Sequence, residues 1–226
     1  MKKIWHWALP KTSSSLKHPF ALFSFIFVFW AIYRYFPGIL SEWLEELILK
    51  PILWLVPTLF LVKRIEKNSL ESLGFTKKNL FPSLYWGIGL GMIFALEGLG
   101  TNILKYKTIN FANFSYAPLT FLGSLFISFA TAFTEETVFR GYIFSRLWKI
   151  WKNEWLAGLV SSFLFTLIHL PIAVFVLGYT FQTMLIFLFL VFTFGFASAF
   201  VFSQTQNIAS SILLHVFWSW PIILFR

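Results

Sequence analysis

The chain contains no cysteine and no aspartate. Without cysteine there is no disulfide, thiolate nucleophile or cysteine-ligated metal to consider. Without aspartate, catalysis by a pair of aspartates is excluded, and all nine acidic side chains are glutamate. Charge of either sign is scarce too, at 12% of residues, against 58% hydrophobic residues, 31 Phe and 11 Trp. That is more apolar surface than one soluble core of 226 residues can bury, and long uncharged runs mark a polytopic membrane protein. The runs lack the two-residue alternation of barrel strands, so helices are expected.

Six apolar segments stand out, at 19–36, 47–62, 81–104, 117–148, 155–171 and 181–203, and a seventh at 208–225 closes the chain. The expected fold is all-α, a transmembrane helix bundle of about seven spans, or six to eight given that 172–180 reads as a loop or a re-entrant piece. Spans one to three fall in 1–116 and the polar core helices in 117–226, within one integral membrane domain. The net charge of +9 sits in short loops rather than on a nucleic-acid-binding face. Lys63, Arg64, Lys67, Lys77 and Lys78 follow the second span, and Arg146, Lys149 and Lys152 follow the fourth. The rule that basic loops stay inside then places the N-terminus in the cytoplasm. The first apolar run carries no A-x-A cleavage site and reads as a retained span. The shortness of the chain suggests a bacterial cytoplasmic membrane.

Ionisable groups inside such spans are costly, so each is a candidate for function. They are Glu97, Glu135, Glu136, Arg140, His169 and His215. Glu136 and Arg140 are four residues apart, hence neighbours on one helix face. Glu135 points about 100° away, on a stripe with Ser124, Ser128, Thr131 and Tyr142. The fifth span aligns Ser162, Phe165, Thr166 and His169, and the last aligns Ser211, His215 and Ser219. Small hydroxyls are also common helix–helix contacts in membranes, and Gly87 and Gly91 read as close packing. Glu97 reads as snorkelling to the interface or pairing with Lys105 or Lys107.

A carboxylate in a polar seam can serve as a general base for water, and two imidazoles can orient that water, donate to an oxyanion or protonate a leaving amine. Together these suit hydrolysis of a peptide bond within the membrane. No H-E-x-x-H zinc motif is present, since Leu170 and Pro171 follow His169, and no G-x-S-x-G elbow appears.

The pattern resembles the CAAX prenyl-protease and bacteriocin-processing family (CPBP, or Abi) of intramembrane glutamic-type proteases. Its E-E-x-x-x-R motif is met by Glu135, Glu136 and Arg140, and its F-x-x-x-H motif by Phe165 and His169. Its H-x-x-x-N/D motif is half met, by His215 with Ser219 in the last position. The resemblance implies that Glu135 activates water, His169 assists and His215 helps to hold the oxyanion. Glu136, Arg140, Phe165 and Ser219 would be supporting residues, and the substrate a polypeptide with a membrane-associated segment. Glu135, His169 and His215 are also the two-His-one-carboxylate set of a catalytic zinc. The metal-free form is favoured here, because Glu136 and Arg140 crowd charge beside it. The alternative readings are a zinc-dependent version of the same protease and a non-catalytic membrane scaffold or immunity protein. A proton-coupled transporter using the same Glu and His as a relay is a third.

Overall fold

The computed structural model describes residues 15–36, 38–108 and 118–224. The N-terminus assigned above to the cytoplasm and the division at 116/117 lie outside the described residues. Among those described there is no strand, and seven long helices follow the seven apolar segments. They are α1 (Lys17–Tyr35), α2 (42–65), α3 (Leu80–Tyr106), α4 (118–151), α5 (Glu154–Val176), α6 (Phe181–Thr205) and α7 (Ile208–Leu224). The segment from 172 onwards is the continuation of α5 rather than a separate piece, and α6 begins after Gly178 turns the chain.

By length and composition alone, Leu80–Leu104, Glu154–Val176 and Phe181–Thr205 can each cross a membrane. The chain is an integral membrane protein. The large apolar side chains that α3 and α6 leave exposed, such as Phe81, Leu96, Phe181 and Phe189, are the lipid-facing surface expected of it. By contrast, α4 is buried throughout 134–147, and α2 buries Glu45, Glu46 and Lys50 on one side while leaving Ile52, Val56 and Phe60 exposed on the other.

Two of the connections are two-residue turns, 152–153 and 206–207, so α4 lies antiparallel to α5 and α6 to α7. Asn153 caps α5, its side-chain oxygen accepting from the amides of Trp155 and Leu156 at 3.0 Å each. Proline shapes two helices. Pro51 and Pro57 supply no amide to α2, and wide π-helical turns occupy Glu45–Leu49 and Leu61–Ile65 beside them. Pro171 does the same in α5, which tightens at His169 and widens over Ile172–Val176.

Helix α7 is packed by α3, α4 and α6. Its contact with α3 is backbone-close: a Cβ on Gly87 would lie 2.8 Å from the Ser210 carbonyl oxygen, and one on Gly91 2.8 Å from the Phe217 Cβ. The Gly87/Gly91 pair is therefore a packing device, as its spacing implied.

The loop between α2 and α3 is held down from two sides. Asn207 donates to the carbonyls of Thr76 (2.8 Å) and Lys78 (2.9 Å), and the Ile208 amide donates to the Gly74 carbonyl at 3.0 Å. Gly74 has φ +87° and would meet Phe202 and Ile208 with any side chain, so glycine is required there. On the other side stands Arg146. Its spacing suggested a solvated loop charge, yet it is an α4 residue with no exposed surface. It donates to Glu66 through Nη2 (2.6 Å) and Nε (3.0 Å) and to the Ser72 carbonyl (2.8 Å), while Tyr142 donates to the other Glu66 oxygen at 2.9 Å. A buried guanidinium needs this full set of partners, and the loop wraps inward to supply them.

Two predictions follow from these contacts. Gly87→Val should lower the melting temperature of the detergent-purified protein, an overpacking cost of about 1–3 kcal/mol. Gly89→Val, with no atom within 4 Å of the added Cβ, should leave it unchanged. The second concerns acid. Burial alone would push Glu66 in the loop up, but the Arg146 guanidinium, with the Tyr142 hydroxyl and Asn68 amide, holds it below its ordinary 4.5. A depressed carboxylate contributes stability that is complete above its unfolded value and is lost as pH falls through the folded one. The melting temperature should thus decline as pH drops below about 4.5, and less steeply in Glu66→Gln.

Candidate active site

The site grows from two consecutive residues. Glu135 and Glu136 end the regular part of α4, just before it widens into π-helical turns over Thr137–Phe144. Such turns are rare and recur at functional sites. Adjacent helix positions diverge, so Glu136 faces α6 and α7 while Glu135 faces α2.

Glu136 has no exposed surface and is fully partnered. Its Oε1 accepts from Arg140 Nη1 at 3.2 Å and from His215 Nδ1 at 2.7 Å, and its Oε2 accepts from Ser198 at 2.6 Å. Arg140 is anchored further by the Gly195 carbonyl (2.9 Å) and lies over the Phe165 ring at 4.3 Å. The expected Glu136–Arg140 pair is present, and the same carboxylate also orients an imidazole. A carboxylate only accepts, so Nδ1 of His215 carries a proton and Nε2 is turned toward Glu135. That nitrogen is 3.9 Å from Glu135 Oε2, too far for a direct hydrogen bond. Phe194 and Trp218 hold the ring, with centroids at 4.7 and 5.7 Å.

Glu135 is buried, and its two oxygens differ. Oε1 sits 2.6 Å from Lys50 Nζ on α2, whereas Oε2 is buried without a hydrogen-bond partner. His169 is half-buried at the Pro171 kink and interacts electrostatically with Glu135. Its Nδ1 bonds the Phe165 carbonyl at 2.8 Å, which leaves Nε2 as the free nitrogen in the neutral ring. Phe165 packs on His169 at 4.6 Å between centroids and supports Arg140 from the same ring.

Glu135, Glu136, Arg140, Phe165, His169 and His215 are therefore brought together. Ser219 is not among them. Its hydroxyl pairs with Ser128 of α4 at 2.6 Å, one turn beyond His215, and it makes no contact with Glu135. The other striped hydroxyls are also used in packing: Ser211 donates to the Ser198 carbonyl at 3.1 Å, and Thr166 to the Ser162 carbonyl of its own helix at 2.8 Å. Glu97 lies by the Trp218 indole rather than inside the cluster.

One site residue was not anticipated. Lys50 lies in the 47–62 apolar run, so it met the criterion applied to the other intramembrane charges, and Glu46 precedes it by four. Both are buried, with Lys50 Nζ 2.8 Å from Glu46 Oε2.

The donor set can be tested for zinc. Among the described residues no three His, Asp or Glu side chains are grouped so as to hold one metal ion. An ammonium already lies on one Glu135 oxygen at 2.6 Å, where it would repel a dication.

Residues 117–221 match the family model described as Rce1-like, type II CAAX prenyl endopeptidase Rce1-like. Comparison with curated proteins and with solved structures gave no match.

Glu136→Ala would strand Arg140 and leave His215 without its acceptor, and breaking a buried pair in this way costs about 3–5 kcal/mol. The folded yield and melting temperature of the variant should both fall. Wild-type accumulation with turnover alone lost would instead place Glu136 in the chemistry.

Proposed function

We propose that the chain is an intramembrane endopeptidase acting through a glutamate-activated water on a membrane-associated polypeptide, since residues 117–221 match the Rce1-like, type II CAAX prenyl endopeptidase family model. The observation that carries this reading is the asymmetry of Glu135. One oxygen is held by Lys50, and the other is buried and unbonded, 3.9 Å from a histidine nitrogen whose ring is fixed by a second glutamate.

Oε2 of Glu135 takes a proton from water as the water oxygen bonds to the scissile carbonyl carbon. The carbonyl oxygen becomes an oxyanion. His215 in its imidazolium form donates to that oxyanion from Nε2, and Glu136 on Nδ1 stabilises the ring's positive charge. His169, with Nε2 free, assists by relaying a proton. Collapse of the intermediate breaks the C–N bond, and the proton held by Glu135 passes to the departing amine. No metal takes part in these steps. The N-terminus is assigned to the cytoplasm, on the basic residues Lys63 and Arg64 at the end of α2 and Lys67, Lys77 and Lys78 in the loop after it.

A second reading is favoured by one observation. Ser219 occupies a position where the family carries Asn or Asp, and it is tied to Ser128. A non-catalytic scaffold would keep the ion pairs and need no donor there.

Glu135→Gln decides between them. It preserves size and most hydrogen bonds but cannot accept the proton. The variant should accumulate normally and cleave a membrane-anchored reporter about 10²–10⁴-fold more slowly than wild type. Chelators should leave the wild type active. Activity abolished by chelation and restored by added zinc would overturn the metal-free mechanism, and unchanged cleavage by Glu135→Gln would overturn the role of Glu135.

A further inference from the structure

The ammonium of Lys50 lies outside the matched residues 117–221, yet it makes the shortest polar contact to the proposed base. Several independent contacts fix it. Glu46 holds it with both oxygens, at 3.1 and 2.8 Å, and Thr131 of α4 donates to Glu46 Oε2 at 2.6 Å. The rings of Trp30 and Trp54 lie 5.7 and 5.4 Å from Nζ, within cation–π range of the buried ammonium. The turn that presents it is wide, since the Lys50 amide bonds back to the Glu45 carbonyl and Pro51 follows.

We infer that Lys50 is a positioning residue for the hydrolysis, clamping Oε1 of Glu135 so that only Oε2 is turned toward His215 and the attacking water. The inference rests on the protease reading above. A carboxylate has two equivalent oxygens and a torsion about which they exchange. An ammonium fixed on one oxygen removes that freedom, and a general base must be held close to its productive geometry to act.

Glu46 completes the device. When Glu135 accepts the water proton it becomes neutral and ceases to be a counter-ion. Lys50 would then be an unpaired charge in an apolar site, a costly state, but for Glu46, which keeps it neutralised through the turnover. The proton moves without leaving a bare cation behind.

The test uses the full chain, purified in detergent, with a fluorogenic farnesylated CAAX peptide and a membrane-anchored reporter as cleavage probes. Lys50→Met strands Glu46, so the double variant Glu46→Gln/Lys50→Met, which removes the local pair as a neutral unit, is measured beside it. Either variant that folds should keep the wild-type KM and lose about 10–100-fold in kcat, the scale of a misplaced catalytic group. A second readout needs no substrate. Dicyclohexylcarbodiimide modifies buried carboxyl groups that lack a cationic partner, and mass spectrometry locates the adduct. Glu135 should resist in the wild type and react several-fold faster in the double variant.

A folded double variant with wild-type kcat, or with Glu135 as resistant as before, would overturn the clamp. Failure of the protease reading looks different. In that case no probe is cleaved, and the inference falls with its premise even if the labelling changes; Glu135→Gln cleaving both probes as fast as wild type instead overturns the role of Glu135, and the clamp with it.

Discussion

A charge taken out of water is tolerated only where a counter-charge and hydrogen bonds replace its hydration, and Glu136 meets that condition for half the bundle. Its two oxygens serve Arg140, His215 and Ser198, and so join α4, α6 and α7 at one point. Arg140 carries the connection on to the Gly195 carbonyl and the Phe165 ring of α5. Removing any member exposes the others to an uncompensated field. The position of the His215 ring is thus set by the electrostatic needs of a guanidinium it never touches.

The two neighbouring carboxylates illustrate how environment separates identical groups. Glu136 has donors on both oxygens, three in all, and they fix it in place. Glu135 has a donor on one side only, which leaves one oxygen for chemistry. Neither property belongs to glutamate. Both come from which helix each residue faces.

Much of this was legible in the sequence because it is local or periodic. The i,i+4 spacing of Glu136 and Arg140 gives the pair directly, and the apolar runs give the helices with limits close to those observed. That α3 packs closely on another helix could be read from Gly87 and Gly91, but not that the helix is α7. What remained hidden depends on distant partners. Lys50 and Arg146 look like irregularities of a span and a loop until Glu135 and Glu66, far along the chain, are brought to them. The π-helical turns also have no clear sequence mark except near Pro51, Pro57 and Pro171, and none over Thr137–Phe144. Ser219 fits a stripe shared with His215, but spacing alone could not tell that its hydroxyl would be taken by Ser128.

The Lys50–Glu46 pair also matters to how the chain is made. Synthesis is vectorial, and N-terminal segments reach the membrane first. When α2 enters the bilayer α4 has not been made, and Glu135 does not exist to meet the ammonium. Glu46, four residues back on the same helix, is the partner at hand. It lets a lysine-bearing segment partition into lipid as a neutral turn and wait there for the helix that will use it.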